Sequence, residues 1–160
     1  SAPAPSTGHA VPGSCSDLYS SGMVAILEGS GVVLNPSWIY DPGQFDEVGT
    51  RVSSLQPILE TSPKLSCTWI TGGGGSEVGL TTEIVHVSAA QADQITSTLT
   101  SIGWSRLDEL GGVRFVVQQN MEGNAVGESQ FLRDGLWFST QYVNLAINGY
   151  TADMVTNVFG

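Results

Sequence analysis

Residues 65–69 read LSCTW, and this short stretch decides how the rest of the chain is interpreted. Apolar Leu65, Cys67 and Trp69 alternate with polar neighbours, which is the period of a β-strand with one covered face. The alternation predicts that Cys67 points inward beside Trp69. Cys15 is the other cysteine in the chain, so a single disulfide is permitted.

We expect Cys15 and Cys67 to form that disulfide. A structural zinc site normally needs four ligands, and His9 and His86 lack zinc-ligand spacing to either cysteine, so we expect no metal and no cofactor. Closing a loop of this length stabilises the fold by about 4 kcal/mol through the entropy of the unfolded chain. Disulfides persist in oxidising compartments, which predicts an exported protein. The alternative is a pair of buried free thiols in the cytosol.

Composition limits the classes of partner. The chain has 160 residues and a formal net charge of -10, which disfavours nucleic acids and anionic membranes because both require a positive surface. No apolar run is long enough to cross a bilayer. We expect a flexible Pro/Ser/Thr-rich spacer over residues 1–13, followed by a single domain over residues 14–160.

Capping residues and apolar spacing predict the helices. Ser14 is expected to cap a helix with Cys15 in its first turn and an apolar face made by Tyr19, Met23, Ile26 and Leu27. A weaker helix is expected near residues 44–55. Ser88 and Gln91 predict a capping box for a third helix, with Ile95, Leu99 and Ile102 on its buried face. Thr151 is expected to cap a short closing helix.

Alternating or β-rich segments predict five strands, at residues 65–69, 80–87, 113–117, 129–133 and 136–143, and residues 32–34 could form a further short strand. Asp134-Gly135 between the last two is a strong signal for a two-residue hairpin. Hairpin connections dominate this order of elements. We therefore expect an α+β fold with a single antiparallel sheet of about five strands and helices packed mainly on one face.

No catalytic constellation is visible. The four-glycine run at 72–75 lacks the Gly-Lys-Ser/Thr of a phosphate-binding loop, and the chain has no G-x-S-x-G motif. His86 lies between valines on a strand, where a hydrogen-bonded structural imidazole is expected. The surplus of Asp and Glu leaves one enzymatic alternative, a hydrolase that uses two carboxylates on envelope polymer.

Three aromatic residues on one turn-rich loop are the candidate ligand-binding residues: Trp38, Tyr40 and Phe45. Aromatic side chains on a loop held by a rigid scaffold are a common way to build a ligand pocket or a protein contact. The competing interpretation is that the loop folds over the core and these rings close it as a plug.

The chain resembles the small secreted lipoprotein domains of unknown function from actinobacteria, which include relatives of the mycobacterial kinase sensor domains. The resemblance rests on the Pro/Ala/Ser/Thr spacer, on Cys15 opening a helix as C-S-D-L, and on Cys67-Thr68-Trp69 as a C-x-W strand. The kinase sensor domains hold two disulfides, whereas this chain permits one. The resemblance implies an α+β domain of the cell envelope with a sheet-lined cleft.

These observations together predict a non-enzymatic binding module, extracellular or in the cell envelope. It would bind a small apolar or amphipathic ligand or a protein partner, and would be tethered through a lipidated residue upstream of Ser1. Besides the hydrolase, the remaining alternative is a display or interaction domain that has no pocket.

Overall fold

The computed structural model of the chain describes residues 8–74 and 77–160. The strands are β1 (Val33–Leu34), β2 (Lys64–Ile70), β3 (Gly79–His86), β4 (Ser105–Glu109), β5 (Gly112–Met121), β6 (Asn124–Arg133) and β7 (Leu136–Val143). The α-helices are α1 (Ser21–Gly29), α2 (Gln56–Thr61), α3 (Ala89–Ser101) and α4 (Tyr150–Phe159). Short 3-10 helices cover Cys15–Asp17 and Ser37–Tyr40.

The strands lie in the order β1-β2-β3-β7-β6-β5-β4, and every neighbouring pair is antiparallel. This confirms the α+β class and the single antiparallel sheet. The expected number of about five strands is wrong, because the described residues form seven. Two edge strands account for the difference: β1 has two residues, and every residue of β4 is exposed. Neither shows the alternation that reveals a half-buried strand.

Helices cover both faces of the sheet, so the expectation that they pack mainly on one face is wrong. On one face, Ile84 and Phe138 share a core cluster with residues of α1 and α4. On the opposite face, the neighbouring Val85 and Trp137 share a cluster with residues of α2 and α3. We call these the α1–α4 face and the α2–α3 face. Consecutive apolar residues in β3 and β7 are what strands buried on both faces require.

Cys15 and Cys67 form the expected disulfide, with their Cα atoms 5.8 Å apart. The helix expected around Cys15 is divided in two. Ser14 caps the 3-10 helix Cys15–Asp17, and α1 follows with Ser20 as its N-cap. The bridge therefore ties a short turn, rather than a long helix, to β2 on the α1–α4 face. Such a bridge is typical of proteins from oxidising compartments.

The helix expected near residues 44–55 is wrong. That segment is a loop, and α2 begins only at Gln56, with Pro57 in its first turn. Proline is tolerated there because the first N–H groups of a helix have no intrahelical partner. Residues 44–55 are thereby free to cross the α2–α3 face, where Gln44, Phe45, Glu47 and Arg51 contribute to the candidate site.

Two local predictions are confirmed in detail. Ser88 and Gln91 form the capping box of α3, whose Ile95 and Leu99 are fully buried. Ile102 does not join them, since it is 50% exposed at the end of the helix. Asp134-Gly135 joins β6 to β7, with φ values of 50° and 78° that suit a tight hairpin turn.

Part of the expected spacer lies against the domain. The backbone N–H of His9 donates to the Asp134 carbonyl at 3.0 Å, and the His9 carbonyl accepts from His86 Nε2 at 2.6 Å. The His9 ring packs 4.7 Å from the ring of Phe159, centroid to centroid. His86 thus has the hydrogen-bonded structural role that its position predicts. Residues 1–7 of the expected spacer lie outside the described residues.

Candidate functional site

The 3-10 helix Ser37–Tyr40 sets the directions of two of the candidate aromatic residues. A 3-10 helix has three residues per turn, so Trp38 and Tyr40 point to different sides. The Trp38 indole N–H donates to the Thr71 carbonyl at 2.8 Å, which holds the ring beside the end of β2. Tyr40 is 70% exposed to solvent.

Trp38 and Phe45 form an aromatic wall beside a pocket of about 320 Å³. Their ring centroids are 6.4 Å apart and their planes are nearly perpendicular, at 85°. The floor of the pocket is the end of the sheet, where Ile70, Gly79 and Val143 are partners on β2, β3 and β7. The loop and the sheet therefore enclose a space of the size that small-molecule sites occupy.

The structure brings together two of the three predicted ligand-binding residues. Trp38 and Phe45 are both half-buried and line the pocket, whereas Tyr40 does not line it. Ligand binding by these residues stays a prediction, because the geometry shows the space and not its occupant.

The sequence analysis did not single out the segment that crosses the α2–α3 face next to the pocket. Residues 48–51, which we call the strap, cross the α2–α3 face and bind two buried carboxylates. The backbone N–H of Gly49 donates to Glu83 Oε1 at 2.7 Å. Glu128 accepts from the Thr50 hydroxyl at 2.6 Å and from the backbone N–H of Arg51 at 3.0 Å. The strap thus supplies the hydrogen bonds that buried carboxylates require.

Burial raises the pKa of both carboxyl groups. For Glu83, loss of solvent is the largest cause, and the Gly49 N–H and the nearby Lys64 ammonium, 4.0 Å away, partly offset it. For Glu128, loss of solvent again dominates, and the hydrogen bonds from Thr50 and Arg51 offset it. Each carboxylate is buried and accepts hydrogen bonds from the strap.

The strap approaches β7 so closely that position 49 admits only glycine. A Cβ atom on Gly49 would lie 2.5 Å from the Ser139 carbonyl oxygen and 2.6 Å from its hydroxyl. The Gly49 carbonyl also accepts from Gln130 Nε2 at 3.1 Å. This contact explains why the segment carries a glycine in place of a helix-forming residue.

One polar side chain on the pocket wall, Gln141, has only part of its hydrogen-bonding capacity satisfied. Gln141 is 4% exposed, and its Nε2 donates to the Val48 carbonyl of the strap. Its Oε1 has no hydrogen-bond partner among residues 8–74 and 77–160. Because Val48 presents an acceptor, the amide orientation is fixed with Nε2 toward the strap. A buried amide oxygen without a donor is uncommon and costs free energy.

A second cavity of about 450 Å³ lies on the α1–α4 face, near the start of α4. Arg114 is its cationic residue, but the guanidinium already donates to Glu109 Oε1 and to the Ser129 hydroxyl, each at 2.8 Å. Ser129 also lies 3.1 Å from the Thr151 hydroxyl. These polar groups satisfy one another, so the pocket beside Trp38 is the better candidate.

Neither a metal-binding cluster nor a membrane-spanning helix is found in the described part of the chain. Within it, no three His, Cys, Asp or Glu side chains are grouped so as to hold a metal ion. None of its helices is long and apolar enough to cross a membrane. Comparison of the chain with models of protein families, with curated proteins and with solved structures gives no match.

Proposed function

We propose that this chain is a non-enzymatic binding module that takes a small apolar or amphipathic ligand in the pocket between loop 38–45 and the sheet. The observation that carries the proposal is the half-exposed aromatic wall of Trp38 and Phe45 beside free space. Pockets for small molecules are typically apolar and aromatic, with a few polar groups that fix orientation.

The contrast with Trp69 and Trp137 supports a pocket over a plug. Trp69 and Trp137 are 1% and 0% exposed and belong to the two core clusters of the sheet. Trp38 and Phe45 belong to neither cluster and stay half-buried. Rings that close a core would pack against the residues they cover, as the half-buried Trp104 does against the cluster on the α2–α3 face.

The arrangement of the buried acids favours binding over hydrolysis. Glycoside hydrolysis needs two carboxyl groups about 5 to 10 Å apart across an accessible cleft. Glu83 and Glu128 have the raised pKa that a general acid needs, but both are buried beneath the strap and accept its hydrogen bonds. A display domain without a pocket is also less well supported, given the space beside Trp38.

The disulfide between Cys15 and Cys67 favours an extracellular or cell-envelope location. We infer that the domain acts there, tethered as a lipoprotein through a residue upstream of Ser1. A ligand pocket on a tethered domain suits capture of a small molecule, or of a partner's side chain, at the cell surface.

Binding of octan-1-ol, a small neutral amphiphile, tests the pocket. In titrations followed by amide and indole NMR shifts, the Trp38 indole signal is expected to move. Trp38→Ala and Phe45→Ala should each weaken binding by about tenfold, equivalent to about 1.4 kcal/mol. Tyr40→Ala is the matched control, because Tyr40 lies on the same loop and outside the pocket, and it should change affinity little.

The thermal unfolding of the same variants separates a pocket from a plug. A pocket residue can be removed with little change in the melting temperature, whereas a core aromatic costs about 3 to 5 kcal/mol on truncation. Large destabilisation by Trp38→Ala and Phe45→Ala would assign the rings to the core and overturn the proposal.

A further inference from the structure

The pocket has a chemical bias that deepens the proposed function and rests on it. We propose that the ligand is an amphipathic primary amine, with its apolar body against the wall of Trp38 and Phe45. Its protonated amino group donates a hydrogen bond to Gln141 Oε1 and lies in the negative field of the pocket mouth. Three observations support this inference: a hydrogen-bond acceptor without a partner, the negative charge at the pocket mouth, and the aromatic rings of the wall.

Gln141 supplies the first observation. Its Nε2 is committed to the Val48 carbonyl, so the amide group without a partner is the acceptor Oε1 and not a donor. This oxygen is buried at the wall of the empty pocket, and a ligand reaches it only as the neighbouring side chains move aside. No residue in the described ranges 8–74 and 77–160 satisfies that oxygen. A ligand with an N–H group removes the cost of the unpaired acceptor, whereas a ligand carboxylate placed there would add a repulsion.

The charge at the pocket mouth also favours a cationic ligand. Glu47 and Glu77 both line the pocket and are exposed, and neither forms an ion pair with any residue that the structure describes. Arg51 is the cation on the wall, but its guanidinium lies 4.0 Å from Glu128, which offsets its charge. The surplus charge facing a ligand is negative, as is the net charge of the chain.

The aromatic wall suits a cation as well as an apolar chain. The faces of Trp and Phe carry negative electrostatic potential and attract an ammonium group within about 6 Å. Trp38 and Phe45 meet edge to face and both line the pocket. An alkyl chain packs on these surfaces while its amino group reaches the polar side.

The opposite assignment, an anionic ligand on Arg51, agrees less well with the geometry. An anion would have to compete with Glu128 for the guanidinium and pass Glu47 and Glu77 at the mouth. It would also leave Gln141 Oε1 without a donor. These costs add, so anionic amphiphiles should bind most weakly.

Four probes with the same octyl chain test the assignment on the intact domain: octylammonium, octyltrimethylammonium, octan-1-ol and octanoate. Octylammonium is expected to bind about tenfold more tightly than octan-1-ol, with octanoate weakest. Octyltrimethylammonium keeps the charge and lacks the N–H donors, so it should bind less tightly than octylammonium. Added salt should weaken the binding of octylammonium and leave that of octan-1-ol nearly unchanged.

Variants assign the effect to residues. Glu47→Gln with Glu77→Gln, two exposed positions, should lower the affinity for octylammonium several-fold and spare octan-1-ol. Gln141→Met should abolish the preference for octylammonium over octyltrimethylammonium. If Gln141→Met does not fold, the probe series on the unmodified protein still decides the matter.

The outcomes are distinguishable from failure of the proposed function. If none of the four probes binds at millimolar concentration, the pocket proposal itself fails. If octan-1-ol shifts the Trp38 indole signal but octanoate or octan-1-ol binds as tightly as octylammonium, the pocket stands and the amine inference is overturned. Equal affinity for the two ammonium probes would overturn the hydrogen bond to Gln141.

Discussion

The backbone N–H of Gly49 donates to Glu83 Oε1 at 2.7 Å, and this hydrogen bond joins the strap to the middle of the sheet. Glu83 lies on β3 between Thr81 and Val85, on the face covered by α2 and α3. Its burial is tolerated because the strap brings a donor to it. The strap, in turn, is held where Arg51 can form part of the pocket wall.

Gly49→Ala is expected to destabilise the protein by about 1–3 kcal/mol, the usual cost of forcing an extra methyl group into a packed site. The new Cβ would lie 2.5 Å from the Ser139 carbonyl oxygen, so the strap must move away from β7. Urea unfolding measures the loss, and weaker binding of octan-1-ol should accompany it.

Gly29→Ala is the matched control for that substitution, since a Cβ atom added to Gly29 at the end of α1 would have no neighbouring atom within 4 Å. Its stability should stay the same or rise slightly, as alanine favours helix. Equal stability of Gly49→Ala and the unmodified protein would show that the strap does not press on the sheet.

Glu83 makes stability depend on pH in a defined direction. Burial raises its pKa, with the Gly49 N–H and Lys64 opposing the rise and Glu60 adding to it. The native state then retains the proton to higher pH than the unfolded chain does. The stabilisation is full below the ordinary carboxyl pKa of about 4.3 and is lost as the pH rises through the native pKa.

Glu83→Gln should flatten this dependence, because glutamine keeps an oxygen for the Gly49 N–H and has no charge to bury. Free energies of unfolding in urea, measured from about pH 4.5 to about pH 8, should fall less with rising pH in the variant. Glu28→Gln, exposed on α1, should leave the slope as it is. Parallel curves for Glu83→Gln and the unmodified protein would contradict the raised pKa.

Reduction of the Cys15–Cys67 bridge should lower the free energy of unfolding by about 2–4 kcal/mol. Hydrogen exchange should show residues 30–64 losing protection first, because the bridge closes this loop-rich segment onto β2. The comparison of oxidised and reduced protein needs no substitution. Loss of protection in α3 before that segment would show that the bridge does not brace the site.

Local signals in the sequence predicted the local structure well. The capping residues of α3, the Asp134-Gly135 hairpin and the inward direction of Cys67 depend on neighbours a few residues away. The placement of the helices on the two faces of the sheet depends instead on contacts between residues that are distant in the sequence. Apolar runs in β3 and β7 had the composition of strands covered on both faces, and that signal was missed.

Local sequence patterns could not predict that the strap binds Glu83 and Glu128, because these residues are distant from it in the sequence. Val48, Val52 and Leu55 have helical spacing, and this pattern predicted a helix over residues 44–55. In the structure, backbone N–H groups of this segment donate to Glu83 and Glu128 instead of to helical carbonyl groups. A charged residue in the middle of a β-rich strand was the available signal for Glu83. Ligand binding by the aromatic loop stays a prediction, and the exposure of Tyr40 depends on the 3-10 turn that carries it.

Occupation of the space between loop 38–45 and the end of the sheet by a ligand is the central proposal. The most direct measurement is of intermolecular NOEs between octylammonium and the protein. We predict NOEs from the octyl chain to the rings of Trp38 and Phe45 and none to Tyr40. NOEs confined to the cavity near the start of α4, or to Tyr40 alone, would contradict the proposal.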